Sequence, residues 1–122
     1  PSKVLITGLG LVGHLASKNF QSCGYDVYAS DPVASRRQIA SETGIHNVLD
    51  AVPLDNPDLC GHFHLAIECS GHEQALLDAA NAIRKRGEVV CIATPWRKFT
   101  DIPLHDLHTA IFHNSYVTLQ DV

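Results

Sequence analysis

The sequence predicts an α/β domain in which helices cover both faces of a parallel sheet, and three observations predict it. Strand-like and helix-like segments alternate along the 122 residues. The strand-like segments are near-continuous apolar runs, the pattern that burial on both faces produces. Glycines stand at positions 8, 10 and 13, between the first apolar run and the first helical pattern. Inside a strand or helix they would cost entropy, so the junction needs them for a reason. Right-handed crossovers leave few topologies, and a doubly wound six-stranded sheet in the order 3-2-1-4-5-6 leads.

The elements follow in order. KVLIT (3–7) is the first strand. Val12, Leu15, Ala16, Phe20 and Cys23 then recur at helical spacing, and Gly24 closes that helix. DVYAS (26–30) is the second strand, ASRRQIASETG (34–44) a helix ending on glycine, and NVLD (47–50) a short third strand. The Pro/Asp/Asn-rich VPLDNPDLCG is loop. HLAIECS (64–70) is the fourth strand, and its helix is predicted over 72–86, with Leu76, Ala79, Ala80 and Ile83 on one face and Gly87 beyond. EVVCIA (88–93) is the fifth strand. TPWRKFTD is loop, PLHDLHTAIFH a short helix with proline in its first turn, and SYVTL (115–119) the sixth strand.

Length and composition set bounds. The chain suits one domain (1–122) with a single core, and it carries neither repeats nor low-complexity tracts. A formal net charge of −4 excludes the broad basic face that nucleic acid requires. The basic cluster Arg84-Lys85-Arg86 falls at a predicted helix end, where cations complement the macrodipole. Cys23, Cys60, Cys69 and Cys91 show no CxxC pairing, which fits free thiols in a reducing cytoplasm. The longest apolar stretches are strand-sized, so no membrane segment is expected.

GLGLVG (8–13) matches GxGxxG between a strand and a helix. In that context Gly8 permits the tight turn, Gly10 lets backbone approach a pyrophosphate, and Gly13 allows close helix–strand packing. The helix N-terminus presents amides and a positive dipole end to an anion. Taken alone the motif is equally a set of turn glycines binding nothing. Asp31 strengthens the functional reading: it ends the second strand, where a carboxylate accepts bonds from the adenosine ribose hydroxyls. That carboxylate repels a 2′-phosphate and so favours NAD(H) over NADP(H). Arg36 and Arg37 pull the other way, unless they are ordinary helix-surface charge.

Other residues invite roles. His62-x-His64 after Cys60 offers a metal two histidines on alternate strand positions, but a closed zinc site needs four ligands and no partner spacing is evident. His105-x-x-His108 reads as a polar helix face. Glu68 is a charge near the carboxyl end of an apolar strand, where ligands bind in open α/β sheets. Its plainer role is to bond a neighbouring loop or helix N-terminus. Trp96 stands in the loop beyond the fifth strand, either flanking a ligand or exposed.

VLITGLGLVGHLASKNFQSCGYDVYASDP, then AIECSG, then GEVVCIATP, resembles the Rossmann-fold cofactor domain of medium-chain, zinc-containing alcohol-dehydrogenase-like enzymes over nearly the whole chain. The resemblance implies that Gly8, Gly10, Leu11, Val12 and Gly13 form the pyrophosphate turn, with Asp31 on the adenosine ribose and Arg36 on its outer side. It implies that Cys69, Ser70 and Gly71 wall the adenine side, and that Ile92, Ala93 and Thr94 approach the nicotinamide. In such enzymes the catalytic zinc sits in a separate domain, mostly N-terminal, which these residues do not contain. The expectation is therefore an NAD-binding domain of an alcohol/carbonyl oxidoreductase without catalytic residues or metal ligands of its own. The competing reading is a non-enzymatic, nucleotide-sensing regulatory module, which the fold alone does not separate from it. The resemblance further implies a homodimer in which strands 115–119 of two chains pair into one sheet.

Overall fold

The structure, a computed structural model, describes residues 1–93 and the backbone of residues 115–119. Thr94, Trp96 and the helix expected over PLHDLHTAIFH lie outside the described residues.

The chain runs β1 (Lys3–Thr7), α1 (Leu11–Ser22), β2 (Asp26–Ser30), α2 (Ala34–Glu42), β3 (Asn47–Leu49), β4 (Phe63–Glu68), α3 (Glu73–Ala82) and β5 (Ile83–Cys91). Strands β1 to β5 form a parallel sheet in the order 3-2-1-4-5, as the alternation predicts. Residues Ser115–Leu119 (β6) run parallel beside β5, with Val117 opposite Val89.

Period-two alternation sorts the apolar strand residues into two cores. Leu5, Ala66 and Val89 join Phe63, Ala79 and Ala80 in a core beneath α3. Val4, Ile6, Val27, Ala29 and Ile67 join Ala40 in a second core on the opposite face, against which Ala16 and Phe20 of α1 pack. Apolar residues at consecutive strand positions are therefore buried or half-buried on one face or the other, which is why these strands read as continuous runs.

Several elements depart from expectation, α1 in the face it buries and α3, β4 and β5 in their bounds. Helix α1 buries Gly13 and Ser17 and half-buries Ala16 and Phe20, while Leu11, Val12, Leu15 and Cys23 are exposed. Small residues decide the face. Ser17 Oγ donates back to Gly13 O at 2.7 Å, so its hydroxyl is satisfied inside the helix and that side can lie close to the sheet.

Helix α3 ends at Ala82, not at Arg86, and the chain turns directly into β5. Ile83 has ψ 155°, is buried, and pairs with Phe63 across a bulged register. The Ala82 carbonyl accepts the Gly61 amide at 2.7 Å, so a loop takes over from the helix ladder. Burying Ile83 outweighs the helical propensity of Arg84-Lys85-Arg86, which then lie exposed beyond the helix and do not cap it. Arg86 adopts φ 64°, the left-handed turn that lets Gly87 and Glu88 rejoin the sheet.

Strand β4 begins one residue early, at Phe63, and stops at Glu68. Beyond it the chain folds back, and the Ser70 amide donates to the Glu68 side chain.

Candidate functional site

The site grows from the turn after β1. Gly8 adopts φ +90°, and a Cβ there would lie 2.8 Å from the Ser70 amide nitrogen. A Cβ on Gly13 would lie 1.7 Å from the Gly8 carbonyl oxygen and 3.4 Å from the Cys69 Cβ. Side chains are therefore excluded at both positions, and the turn, α1 and the start of the β4–α3 connection close on one another. Gly10 differs. Its φ of −72° is open to any residue and nothing lies within 4 Å of where its Cβ would be. The turn is packed behind and open in front.

Helix α1 starts there, with its first ladder bond from His14 N to Gly10 O at 2.9 Å. The amides of Leu11, Val12 and Gly13 precede that ladder, no side chain caps the helix, and no acidic residue stands in its first turn. Such an end carries the positive pole of the helix dipole.

Asp31 is held behind the turn. Its carboxylate is 3% exposed and accepts the Leu9 amide on Oδ2 and the Val33 amide on Oδ1, each at 2.8 Å. Arg36 Nη1 stands 3.7 Å from Oδ2, and Arg37 Nη1 donates to the Asp31 carbonyl at 2.9 Å. The acidic strand end thus fixes the glycine turn to the start of α2, and each oxygen keeps acceptor capacity.

Glu68 anchors the opposite wall. It is 2% exposed, and its Oε1 accepts Thr7 Oγ1 at 3.2 Å, the Ser70 amide at 2.7 Å and the Ser70 hydroxyl. Its Oε2 accepts the Gly71 amide at 3.1 Å. The plainer sequence reading of Glu68, a carboxylate bonding a neighbouring turn, is what this geometry contains. Beside it, burial and then the Glu68 charge push the Cys69 thiol up to about 12 and the Cys91 thiol up to about 11. Both are protonated, unreactive groups near neutral pH.

A cleft of about 310 Å³ opens between these walls, at the carboxyl ends of the strands where the sheet order reverses. Of the residues picked from the sequence, Gly8 and Ser70 line it. Gly10, Leu11, Val12, Gly13, Asp31, Arg36, Cys69 and Gly71 are not among its lining residues, while Ile92 and Ala93 close on the end of β4 by donating their amides to the Glu68 carbonyl at 3.0 and 3.3 Å. Sequence reasoning missed Asp50, Ala51 and Val52 after β3 and Gln74, Ala75 and Asp78 on α3, all of which line the cleft. Their one signal is position: Asp50–Val52 follow the carboxyl end of β3, which lies beside β2, and Gln74–Asp78 follow that of β4, which lies beside β1.

The sequence profile of zinc-binding dehydrogenases matches residues 12–119. The chain belongs to the zinc-binding dehydrogenase family. Among curated proteins no relative matched. Solved structures do. Acetophenone reductase from Geotrichum candidum NBRC 4597, in complex with NAD, is 25% identical with a TM-score of 0.75, over 97% of this chain and 33% of that one. Galactitol-1-phosphate dehydrogenase from Escherichia coli is 20% identical with a TM-score of 0.77, over 98% of this chain and 36% of that one. A zinc-binding dehydrogenase from Sinorhizobium meliloti 1021 bound to NADP is 22% identical with a TM-score of 0.72, over 98% and 37%. The chain thus spans about a third of the length of each of these three neighbours, of which the reductase holds NAD and the Sinorhizobium protein NADP.

The two groups that this family implies fare differently against the residues present. The glycine turn fits a dinucleotide: it is closed to side chains at Gly8 and Gly13 and open beside Gly10, with first-turn amides next to the gap. Zinc finds no such site among the described residues, where no three His, Cys, Asp or Glu side chains stand close enough together to hold a metal ion. No helix among them is long and apolar enough to cross a membrane.

Proposed function

We propose that this chain is the NAD(H)-binding domain of an oxidoreductase that passes hydride between the nicotinamide and an alcohol or carbonyl substrate. One observation carries the reading: the turn over Gly8–Gly13 is sterically sealed at its two flanking glycines and open at the middle one, beside the unladdered amides of α1. A turn that bound nothing has no need of an open flank at that spot. In this reading the amides of Leu11, Val12 and Gly13 hold the diphosphate, the spare acceptor positions of Asp31 take ribose hydroxyls, and Arg36 lies along the outer side of that ribose.

In the same reading Ser70, which lines the cleft, and its neighbour Gly71 are assigned to the adenine side, and Ile92, Ala93 and Thr94 to the nicotinamide. When bound, the nicotinamide supplies the hydride chemistry; the chain supplies position and field. No catalytic residue is assigned to this chain, and substrate activation belongs to a zinc-bearing domain. The Asp31 carboxylate favours NAD over NADP, because a 2′-phosphate would meet a buried negative charge.

Titration with NADH and NADPH, following the fluorescence of the single tryptophan, tests the reading. NADH is expected to bind more tightly by about tenfold or more, a difference of roughly 1.4 kcal/mol. Tighter NADPH binding overturns the role of Asp31, and binding of neither overturns the domain's function.

The same reading makes the protein a cytoplasmic homodimer. Its four cysteines are free, in keeping with a reducing compartment, and Ser115–Leu119 runs outermost beside β5, where a second copy could continue the sheet. Sedimentation at tens of micromolar chain should give twice the monomer mass; a monomeric mass sinks the dimer.

A further inference from the structure

Glu68 ties together three segments that come from distant parts of the chain. Its side chain holds Thr7, the last residue of β1 before the glycine turn, and the Ser70 and Gly71 amides of the β4–α3 connection. Its backbone carbonyl holds the Ile92 and Ala93 amides beyond β5. The bonded network reaches further, since Ser70 Oγ accepts the His72 amide at 3.1 Å at the start of α3. The contact that matters lies between the first two segments: the Ser70 nitrogen and Cα sit 2.8 and 2.9 Å from the place a Gly8 Cβ would occupy.

We infer that Glu68 is a positioning residue for the dinucleotide: it touches no ligand, and it sets the spacing between the glycine turn and the β4–α3 turn that faces it. This rests on reading the cleft as a dinucleotide site. The acceptor positions of the carboxylate are taken up by Thr7, Ser70 and Gly71, so its effect must pass through Ser70 and Gly8.

The chemistry explains why a carboxylate is needed. A carboxylate only accepts, with room for about four hydrogen bonds over its two oxygens, and here four donors converge on it. Glutamine has the same shape but puts an NH2 against one set of donors. Two donors then face each other in a buried place, and the turn must move to separate them. Aspartate keeps the charge and the acceptors but is one methylene short, so it restores the network in part.

The test uses the full chain and two probes, NADH and ADP-ribose, which keeps the diphosphate but lacks the nicotinamide. Both are titrated by calorimetry into the wild type, E68Q, E68D and T7V, with each variant's folding checked by circular dichroism and a cooperative melt. Glu68→Gln is expected to stay folded, to bind both probes about tenfold more weakly or worse, and to exchange its Ser70 and Gly71 amide protons faster. Glu68→Asp is expected to recover part of that affinity. A residue that served stability alone would lower the melting temperature and leave both affinities in place.

Folded E68Q with wild-type affinities overturns the inference while leaving the site reading intact. If E68Q does not fold, T7V decides. It removes one bond to Oε1 and keeps the charge, so weaker binding of both probes supports the inference and unchanged binding overturns it. A wild type that binds neither probe defeats the site reading and this inference with it.

Discussion

Glycines 10 and 13 belong to one motif, yet the structure gives them opposite physics. A methyl on Gly13 would drive into the Gly8 carbonyl, 1.7 Å away, so G13A must push α1 off the turn. Overpacking of that kind costs about 1–3 kcal/mol, and backbone has less room to yield than a side chain. G13A is therefore expected to lose about 3 kcal/mol in urea titrations and to bind NADH at least about tenfold more weakly. A methyl on Gly10 meets nothing, at a φ that alanine adopts freely. G10A is expected to keep its stability within about 0.5 kcal/mol while NADH affinity falls, because the methyl occupies the approach to the first-turn amides. Equal stability losses in the two variants would remove the argument for an open flank. The motif and the division of labour within it, approach at Gly10 and close packing at Gly13, were legible. What packs against Gly8 and Gly13 was not, because Ser70 and Cys69 lie some 60 residues away along the chain.

At the scale of elements, helical periodicity located α1 and read its face only in part. Ala16 and Phe20 of the pattern Val12, Leu15, Ala16, Phe20 and Cys23 pack on the core, whereas Val12 is 50% and Leu15 54% exposed and Cys23 is exposed too. Close approach won instead, through the stripe Gly13, Ala16, Ser17 and Phe20, whose small members let the helix axis lie near β1 and β2. Substituting Leu15 by lysine should then change stability by less than about 0.5 kcal/mol, as at other exposed positions. Substituting Ser17 by leucine should cost about 1–3 kcal/mol, since the site is fully buried and has no space for extra methylenes. Thermal melts of the two variants test this, and the reverse order would restore the periodicity's assignment of the face. The end of α3 was hidden for a related reason. Ile83 continues the helical spacing of Leu76, Ala79 and Ala80, and only its pairing partner Phe63, from β4, makes a strand position the better burial.

Across the whole molecule, the strand order was the most legible feature, because continuous apolar runs and short connections leave little choice for a parallel sheet. The cleft was less so. Its walls at Asp50–Val52 and Gln74–Asp78 exist only once β3, β1 and β4 stand in that order.

One global property follows from how the sheet's carboxyl edge is packed. Cys69 follows Glu68 just past the end of β4 and Cys91 stands opposite Glu68 in β5, and burial, then the Glu68 charge, raises their thiols above the ordinary 9.0, to about 12 and about 11. In the unfolded chain both thiols lose their protons from about pH 8.5 upward. Between there and pH 11 to 12 the unfolded state binds fewer protons than the native one, so stability falls as pH rises. The contribution is intact below the unfolded value and is lost as pH climbs through the folded ones. Urea midpoints should therefore decline from pH 9 to pH 11, more steeply for the wild type than for a C69A/C91A variant, which has no thiol protons to lose there. Equal slopes would mean that the two thiols titrate alike in both states, and that the carboxyl edge of the sheet is wetter than its packing implies.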